Sequence, residues 1–353
     1  MNFALLKHAC CDHAQALAHH AAALHQSWRQ WSLAALAALS ASVACAQPAA
    51  STNSALTVAD YRTYLPDSHS VPQALQLLAQ SFNQTAPGTT TLQVVRNPLS
   101  GRPLQQLQAL QKNTGEAPTI MLSATSGLAA LDPAFALFDR PYAIETAAQA
   151  EAFYASEEAA AMLKALHAHG LHGLAWMENG FRIITADRAL KQITDFRELQ
   201  IRTVPVQESQ QLFAALGSMP VSLPADQVKH ALASGQLQAQ ESFVSLALQQ
   251  HAQAFHRHLW LTQHSYGAQV LLINLQVWQA LSASEQERLQ HAATHAARKQ
   301  RQDNREADLQ ALQQLQEQGV QLSQPSLLLL REMKDATRHL REPPKAALRK
   351  SSA

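Results

Sequence analysis

Hydrophobic positions along the chain follow two spacings, one typical of helices and one of strands. Residues 71, 74, 75, 78 and 82 are apolar, which predicts an amphipathic helix over residues 71–85. Residues 56–64 alternate and carry Val, Thr and Tyr, which predicts a strand. The same patterns predict further strands at residues 91–95, 118–123, 171–177, 182–185, 200–204, 220–223, 237–241 and 266–274. They predict further helices at residues 104–112, 146–169, 209–216, 226–234, 243–254 and 284–318.

Strands and helices alternate along most of the chain, which predicts an α/β fold with largely parallel strand pairing. The last predicted helix is long and polar, and its leucines do not form a strict heptad, so we do not expect a coiled coil. A length of 353 residues predicts two domains. With only 11 glycines, the chain is a poor candidate for an all-β fold made of many tight turns.

The N-terminal segment has the pattern of an export signal. An apolar run over residues 33–45 ends in an Ala-x-Ala-like cleavage pattern before Gln47. The run is shorter than the roughly 20 apolar residues that span a bilayer. We therefore predict a cleaved signal peptide at residues 1–46, with an atypically long N-terminal extension, and an exported product. Ser42 disfavours a lipid anchor at Cys45, because a branched aliphatic residue is usual at that position.

Charge and cysteine content narrow the classes of function. The formal charge is +1, from 27 Lys+Arg and 26 Asp+Glu, so no nucleic-acid-binding surface is indicated. The three cysteines, at positions 10, 11 and 45, lie in or before the predicted signal, so we expect neither disulfides nor thiol chemistry in the exported chain. No later segment is long and apolar enough to cross a membrane, so we do not expect the protein itself to be transmembrane.

No motif indicates catalysis or a cofactor. The chain lacks Gly-x-Ser-x-Gly, a phosphate-cradling loop and Gly-x-Gly-x-x-Gly, so an enzyme is the least favoured class. The histidines leave a metal-binding protein open. His167, His169 and His172 are close in sequence, and His291 and His295 lie four residues apart on a predicted helix. A solvated helix surface is the commoner setting for histidines spaced in this way.

Two arginines, Arg182 and Arg202, lie beside predicted strand boundaries. An arginine in such a place either pairs with an internal acid or is held ready for an external anion. Its fixed fork of donors matches a carboxylate bidentately. The residue types alone leave both roles open.

A series of short segments is more specific than any single residue. The segments are Gly173-Leu174-Ala175-Trp176, Glu178-Asn179-Gly180-Phe181-Arg182, Ile201-Arg202, Phe213-Ala214-Ala215-Leu216-Gly217, Leu261-Thr262-Gln263-His264-Ser265-Tyr266 and Val277-Trp278-Gln279-Ala280-Leu281-Ser282, with Phe138-Asp139-Arg140-Pro141-Tyr142 upstream. In order and spacing they resemble the solute-binding proteins of tripartite ATP-independent periplasmic (TRAP) transporters. The resemblance covers most of the exported chain and is sharpest over residues 173–282.

The resemblance implies a two-domain, periplasmic-binding-protein-like α/β fold with a ligand cleft, hinge strands and a long bracing helix. It implies a linker at 47–55, domain I at 56–179 and 268–305, domain II at 180–267 and 306–340, and a disordered tail at 341–353.

The resemblance also implies a ligand-binding set. Arg202 would clamp the ligand's carboxylate, and Arg182 would assist. Ser242 stands where the family usually has Asn, and Phe243 where it usually has Pro, which indicates a less polar or bulkier acid. Asn179 and His69 complete the set, although a structural role for His69 is also open.

The implied function is capture of a small organic acid by domain closure, followed by delivery to TRAP membrane permease subunits. No cofactor is implied. Three alternatives stay open: a ligand-sensing subunit for a membrane receptor, a secreted metal-binding protein, and a relative that kept the fold and lost the ligand.

Overall fold

The structure is a computed structural model that describes residues 55–62, 65–84, 90–97, 103–113, 117–223 and 225–341. The predicted signal peptide, nearly all of the predicted linker and nearly all of the predicted tail lie outside the described residues. Within the described ranges, no helix combines the length and the apolar character needed to cross a membrane.

The described residues form ten strands and eleven α-helices. The strands are β1 (Ala55–Asp60), β2 (Thr91–Arg96), β3 (Ile120–Ala124), β4 (Leu171–Ala186), β5 (Gln200–Thr203), β6 (Met219–Ser222), β7 (Ala239–Phe243), β8 (His258–Trp260), β9 (Tyr266–Asn274) and β10 (Gln321–Ser323). The α-helices are α1 (Ser70–Gln84), α2 (Pro103–Lys112), α3 (Thr125–Leu128), α4 (Ala147–Tyr154), α5 (Glu157–Ala165), α6 (Gln207–Ala215), α7 (Ala225–Ala233), α8 (Val244–Gln249), α9 (Leu275–Ala280), α10 (Ala283–Glu317) and α11 (Leu327–Ala336).

The strands join in the order β2-β1-β3-β9-β4-β7-β5-β6, while β8 pairs with β4 and β10 pairs with β8. Pairing is parallel towards both ends, where β1 pairs with β2 and β3, and β5 pairs with β6 and β7. In the middle, β9 runs antiparallel to β3 and β4, and β4 runs antiparallel to β7. The prediction of largely parallel pairing is therefore wrong for the centre of the sheet, because the apolar pattern of a strand does not encode its direction.

Strand β4 is continuous over 16 residues, where the hydrophobic pattern predicts two strands. The polar run Glu178-Asn179-Gly180 interrupts the pattern without ending the strand. Instead, the pairing with β9 shifts register between Glu178 and Gly180, and Gly180 takes a positive φ of 82°. Beyond this bulge β4 pairs with β7 and β8, so one strand connects the two parts of the sheet.

Helix α10 packs against both parts of the sheet, the part before the bulge in β4 and the part after it. Ser282 and Glu285 start it with a capping box, as the sequence pattern Ser-x-x-Glu predicts. Buried alanines of its first half pack against α1 and β4 in the largest apolar cluster. Ala311 and Leu315 of its second half pack in a separate cluster with Ile183. The helix has the position predicted for a brace, while the domain boundaries stay a prediction.

Local capping divides the predicted helix at residues 146–169. Thr146 starts α4 with a capping box. Ser156 then accepts a hydrogen bond from the Ala159 amide at 3.1 Å and starts α5 as a separate helix.

Candidate functional site

The two arginines singled out in the sequence lie on either side of β7. Arg182, on β4, is opposite Phe243 of β7 in the antiparallel pair. Arg202, on β5, is opposite Gln240 of β7 in the parallel pair. The topology thus brings together two residues that are 20 positions apart, with β7 between them.

Backbone carbonyls hold the Arg202 side chain. Its Nε and Nη2 donate to the Leu223 carbonyl at 3.0 and 2.7 Å, and Nη1 donates to the Glu241 carbonyl at 3.4 Å. A guanidinium has five N–H groups, so two of them remain, one on each terminal nitrogen. The residue as a whole is 4% exposed, and it forms no ion pair with a described carboxylate. Burial lowers the pKa of Arg202 to about 10, partly opposed by the Glu241 charge.

A buried cation without a carboxylate partner is unfavourable unless an anion reaches it. Arg202 therefore has the charge and the spare donors of an anion-binding residue.

Arg182 has a different environment. Its Nη1 lies 3.6 Å from Glu241 Oε2, and its guanidinium carbon lies 4.4 Å from the centre of the Phe243 ring. The Glu241 carboxylate balances its charge, and the ring covers one face of the guanidinium. None of its guanidinium N–H groups donates a hydrogen bond to a described residue, so Arg182 offers donors without an unbalanced charge.

Glu241 is a fully buried carboxylate that holds Arg182 in place. Its Oε1 accepts from the Val204 amide at 3.0 Å and from the Ser209 hydroxyl, and its Oε2 lies 3.3 Å from His264 Nε2. Burial alone would raise the pKa of Glu241, but Arg182 and the hydrogen bonds from His264 and Ser209 hold it at about 2. Glu241 is therefore ionised at neutral pH.

His264 acts as a neutral donor to this carboxylate. Burial lowers the pKa of His264 below its usual range, although Glu241 opposes the shift. Its Nδ1 lies 2.8 Å from the Thr262 hydroxyl. The assigned tautomer carries the proton on Nε2, where it donates to Glu241, and accepts the Thr262 hydroxyl at Nδ1.

Asp139 is a further acid at the site, which the candidate residues from the sequence do not include. It ends the 3₁₀ helix Pro133–Asp139, and its half-buried side chain leaves Oδ2 without a hydrogen-bond partner among the described residues. Burial raises the pKa of Asp139 to about 7, opposed by Arg182 and assisted by Glu208 and Glu241. The signal that could have found it is the resemblance of its own segment, Phe138–Tyr142, to the family.

The Phe243 ring occupies space that is open only because residue 267, on β9, is a glycine. A Cβ on Gly267 would lie 2.4 Å from both Cε1 and Cζ of the Phe243 ring, and 3.1 Å from the Asn179 Cβ. The absence of a side chain at Gly267 therefore makes room for the ring. Asn179 is half-buried beside this contact.

Ser242 faces away from Phe243, because neighbouring strand residues point to opposite sides of a sheet. It shares a face with Gln240, the register partner of Arg202. Both residues are buried, and neither polar atom of the Gln240 amide has a described hydrogen-bond partner.

His69 lies at the start of α1, where its Nδ1 accepts from the Val71 amide at 3.2 Å. Burial lowers the pKa of His69 to about 4. The neighbouring Ser70 hydroxyl bonds Asn304 of α10 at 3.3 Å. These contacts are structural, and none joins His69 to the two arginines, so its role in ligand binding stays a prediction.

The histidines considered as metal ligands are exposed or half-buried. His167 Nε2 lies 2.8 Å from His172 Nδ1, a hydrogen-bond distance, and the His172 ring stacks on Trp278 at 4.0 Å. His291 and His295 are exposed on α10. Within the described part of the chain, no group of three or more His, Cys, Asp or Glu is placed to hold a metal ion.

Comparison with known proteins extends the similarity over most of the chain. Residues 61–343 match the family model described as bacterial extracellular solute-binding protein, family 7. The C4-dicarboxylate-binding periplasmic protein of Rhodobacter capsulatus is 27% identical over 236 residues, which are 66% of this chain and 69% of that protein. The 2,3-diketo-L-gulonate-binding periplasmic protein of Escherichia coli K12 is 27% identical over 202 residues, which are 57% of this chain and 62% of that protein.

The fold is similar to that of a solved structure. The sugar acid binding protein of Advenella mimigardefordensis, in complex with galactonate, superposes with a TM-score of 0.75 at 23% identity, over 84% of this chain and 94% of that chain. At this identity the match supports the fold.

Proposed function

Because the chain belongs to family 7 of the bacterial extracellular solute-binding proteins, whose members bind substrates for transporters and are not enzymes, we propose that it captures an organic acid in the periplasm. In this proposal Arg202 clamps the ligand's carboxylate, and the loaded protein delivers it to the membrane permease of a TRAP transporter. The permease is inferred from the family alone.

The observation that carries this proposal is the buried, unpaired guanidinium of Arg202. Three of its N–H groups are used by backbone carbonyls, which fix its plane, and two remain for an incoming anion. Charge-assisted hydrogen bonds are the stronger kind in proteins, and a water-excluding site strengthens them further. A micromolar Kd corresponds to about −8 kcal/mol, which one such clamp with a few polar contacts can supply after ordering costs.

The class of ligand is supported by the relatives. The named ligands of the three similar proteins, a C4-dicarboxylate, 2,3-diketo-L-gulonate and galactonate, all carry a carboxylate. A carboxylate is also the group that best matches a planar fork of N–H donors.

Capture by domain closure is supported by the elements that run through both parts of the molecule. β4 passes from one part of the sheet to the other through the bulge at Gly180, and α10 packs on the apolar clusters of both. A bulge with a glycine at positive φ is a place where a strand bends at low cost. Closure predicts a smaller radius of gyration in small-angle scattering when ligand is present.

The test is a binding measurement on Arg202 variants. The purified protein would be screened by thermal shift against mono- and dicarboxylates, sugar acids, amino acids and zinc, and each response would then be measured by calorimetry. Arg202→Ala is expected to weaken carboxylate binding at least ~100-fold, because the ligand charge would be left buried without a partner. Arg202→Lys keeps the charge but loses the fork, so an intermediate loss is expected.

The matched control is Arg197→Ala, which removes an exposed arginine five positions away. It is expected to bind like the unchanged protein. Carboxylate affinity that survives in Arg202→Ala would overturn the proposed clamp. A response to zinc alone would instead favour the metal-binding alternative.

A further inference from the structure

The charged groups around the two arginines are not evenly matched. The described set consists of two guanidinium groups, Arg182 and Arg202, and three carboxyl groups, Asp139, Glu208 and Glu241. Arg182 and Glu241 neutralise each other at 3.6 Å. His264 completes the cluster as a neutral donor to Glu241. One positive charge, on Arg202, is therefore left to balance a ligand.

The remaining acids, Asp139 and Glu208, lie near Arg182, which itself interacts electrostatically with Arg202. Asp139 is close enough to Arg182, Glu208 and Glu241 to interact with all three electrostatically. Its Oδ2 has no described hydrogen-bond partner, and burial raises the pKa of Asp139 to about 7, so it holds a proton for much of the time near neutral pH. The second carboxylate of a nearby dianion would be repelled by Glu241, by Glu208 and by Asp139 when Asp139 is ionised.

Resting on the proposed capture of an organic acid, we infer that the site selects ligands with one carboxylate over ligands with two. The geometric basis of this selectivity is that only one of the two arginines has its charge balanced by a carboxylate. Arg202 has an unbalanced charge and two spare N–H groups, whereas Arg182 has spare N–H groups and a charge that Glu241 already balances. Arg182 is thus suited to a neutral oxygen of the ligand, such as a hydroxyl or carbonyl oxygen, because it donates hydrogen bonds without contributing a net charge.

A preference for ligands with one carboxylate would distinguish this protein from one of its relatives. The Rhodobacter capsulatus protein is named for binding C4-dicarboxylates, whereas galactonate, bound by the Advenella mimigardefordensis protein, carries a single carboxylate. A buried charge with like-charged neighbours is strongly disfavoured, so the discrimination is expected to be large.

The experiment compares ligands that differ in charge and little else. Succinamate and succinate have the same four-carbon length, and galactonate and galactarate have the same six-carbon chain, but the second of each pair carries a second carboxylate. Calorimetry at pH 7.5 would measure Kd for all four with the unchanged protein. In whichever pair binds, the monoanion is expected to bind at least ~10-fold more tightly, since like-charge juxtaposition costs more than one factor of ten.

Asp139→Asn tests the source of the selectivity. Asn keeps the shape and removes the negative charge, so the ratio of dianion Kd to monoanion Kd is expected to fall several-fold. The control, Asp187→Asn, removes an exposed carboxylate just after β4 and is expected to leave the ratio unchanged.

The outcomes separate this inference from the proposed function. Dianions that bind as tightly as monoanions, and lose binding in Arg202→Ala, would overturn the inference and leave the capture of an organic acid standing. No binding of any carboxylate, or binding that survives Arg202→Ala, would overturn both. A ratio that Asp139→Asn leaves unchanged would overturn the assignment of the acids as its cause.

Discussion

The Asp139 carboxyl group is expected to make the folded protein less stable as pH rises. Its Oδ2 has no described hydrogen-bond partner, and burial raises the pKa of Asp139 to about 7 against the attraction of Arg182. In the unfolded chain the value returns to about 3.9. Between these two values the folded protein keeps a proton that the unfolded chain has lost, so the free energy of unfolding falls with rising pH.

The size of the effect follows from the width of that window. Each pH unit inside it changes the free energy of unfolding by about 1.4 kcal/mol. From pH 5 to pH 8 the group therefore removes about 2–3 kcal/mol of stability, most of it before pH 7. Asp139→Asn abolishes the titration, so the variant is expected to gain about this much over the unchanged protein between pH 5 and pH 8.

The assay is urea denaturation of both proteins at pH 5, 6, 7 and 8. Other titrating groups, including the buried histidines, act on both proteins alike, so the difference between the two curves isolates Asp139. Asp67→Asn, at a side chain that is 84% exposed, serves as the control and is expected to run parallel to the unchanged protein. A difference between Asp139→Asn and the unchanged protein that does not vary with pH would refute the argument from burial.

One further substitution tests the packing of Phe243, and another tests a buried ion pair between β4 and α10. Gly267→Ala is expected to lower the free energy of unfolding, measured in urea, by about 1–3 kcal/mol, because the new Cβ would lie 2.4 Å from two atoms of the Phe243 ring. An unchanged urea midpoint would mean that the ring moves aside freely. Arg305→Ala is expected to lower the free energy of unfolding, measured in urea, by about 3–5 kcal/mol. The change removes two hydrogen bonds of 2.8 Å from Glu178, whose carboxylate has no exposed surface. A loss below ~1 kcal/mol would mean that the hydrogen bond from the Tyr266 hydroxyl is enough to stabilise that carboxylate.

Hydrophobic spacing was enough to find three of the long elements. The helix predicted at residues 71–85 is α1, the strand predicted at 266–274 is β9, and the helix predicted at 284–318 is α10, each within one residue at either end. The hydrophobic pattern did not predict β8 and β10, because each has three residues, too few to show a period. The two strands pair with each other, and a local pattern does not reveal such a distant pairing. Helix α11 begins with leucines that are exposed, so its sequence shows no clear apolar face at that end.

The two arginines were singled out from the sequence, but the groups that determine their charge balance were not. His264 lies in a segment that resembles the family, and Glu241 directly precedes Ser242, yet neither was proposed as a site residue. Their roles depend on contacts across 23 to 59 positions of sequence, which no local pattern contains. The residue types left open whether each arginine pairs with an internal acid or serves a ligand. In the structure Arg182 lies beside the Glu241 carboxylate, whereas Arg202 forms no ion pair with a described carboxylate.

The register of β7 is what separates the two arginines. Side chains alternate along a strand, so Glu241 and Phe243 leave β7 on the face that Arg182 shares, while Gln240 and Ser242 leave it on the face that Arg202 shares. The two guanidinium groups are nevertheless close enough to interact electrostatically. The Glu241 carboxylate can therefore lie 3.6 Å from Arg182, while Arg202 donates its hydrogen bond to the Glu241 backbone carbonyl. A shift of β7 by one residue would exchange the faces and pair the carboxylate with Arg202 instead. The unpaired charge on which ligand capture is proposed to depend is thus a consequence of strand register, held by the four groups that surround the Glu241 carboxylate.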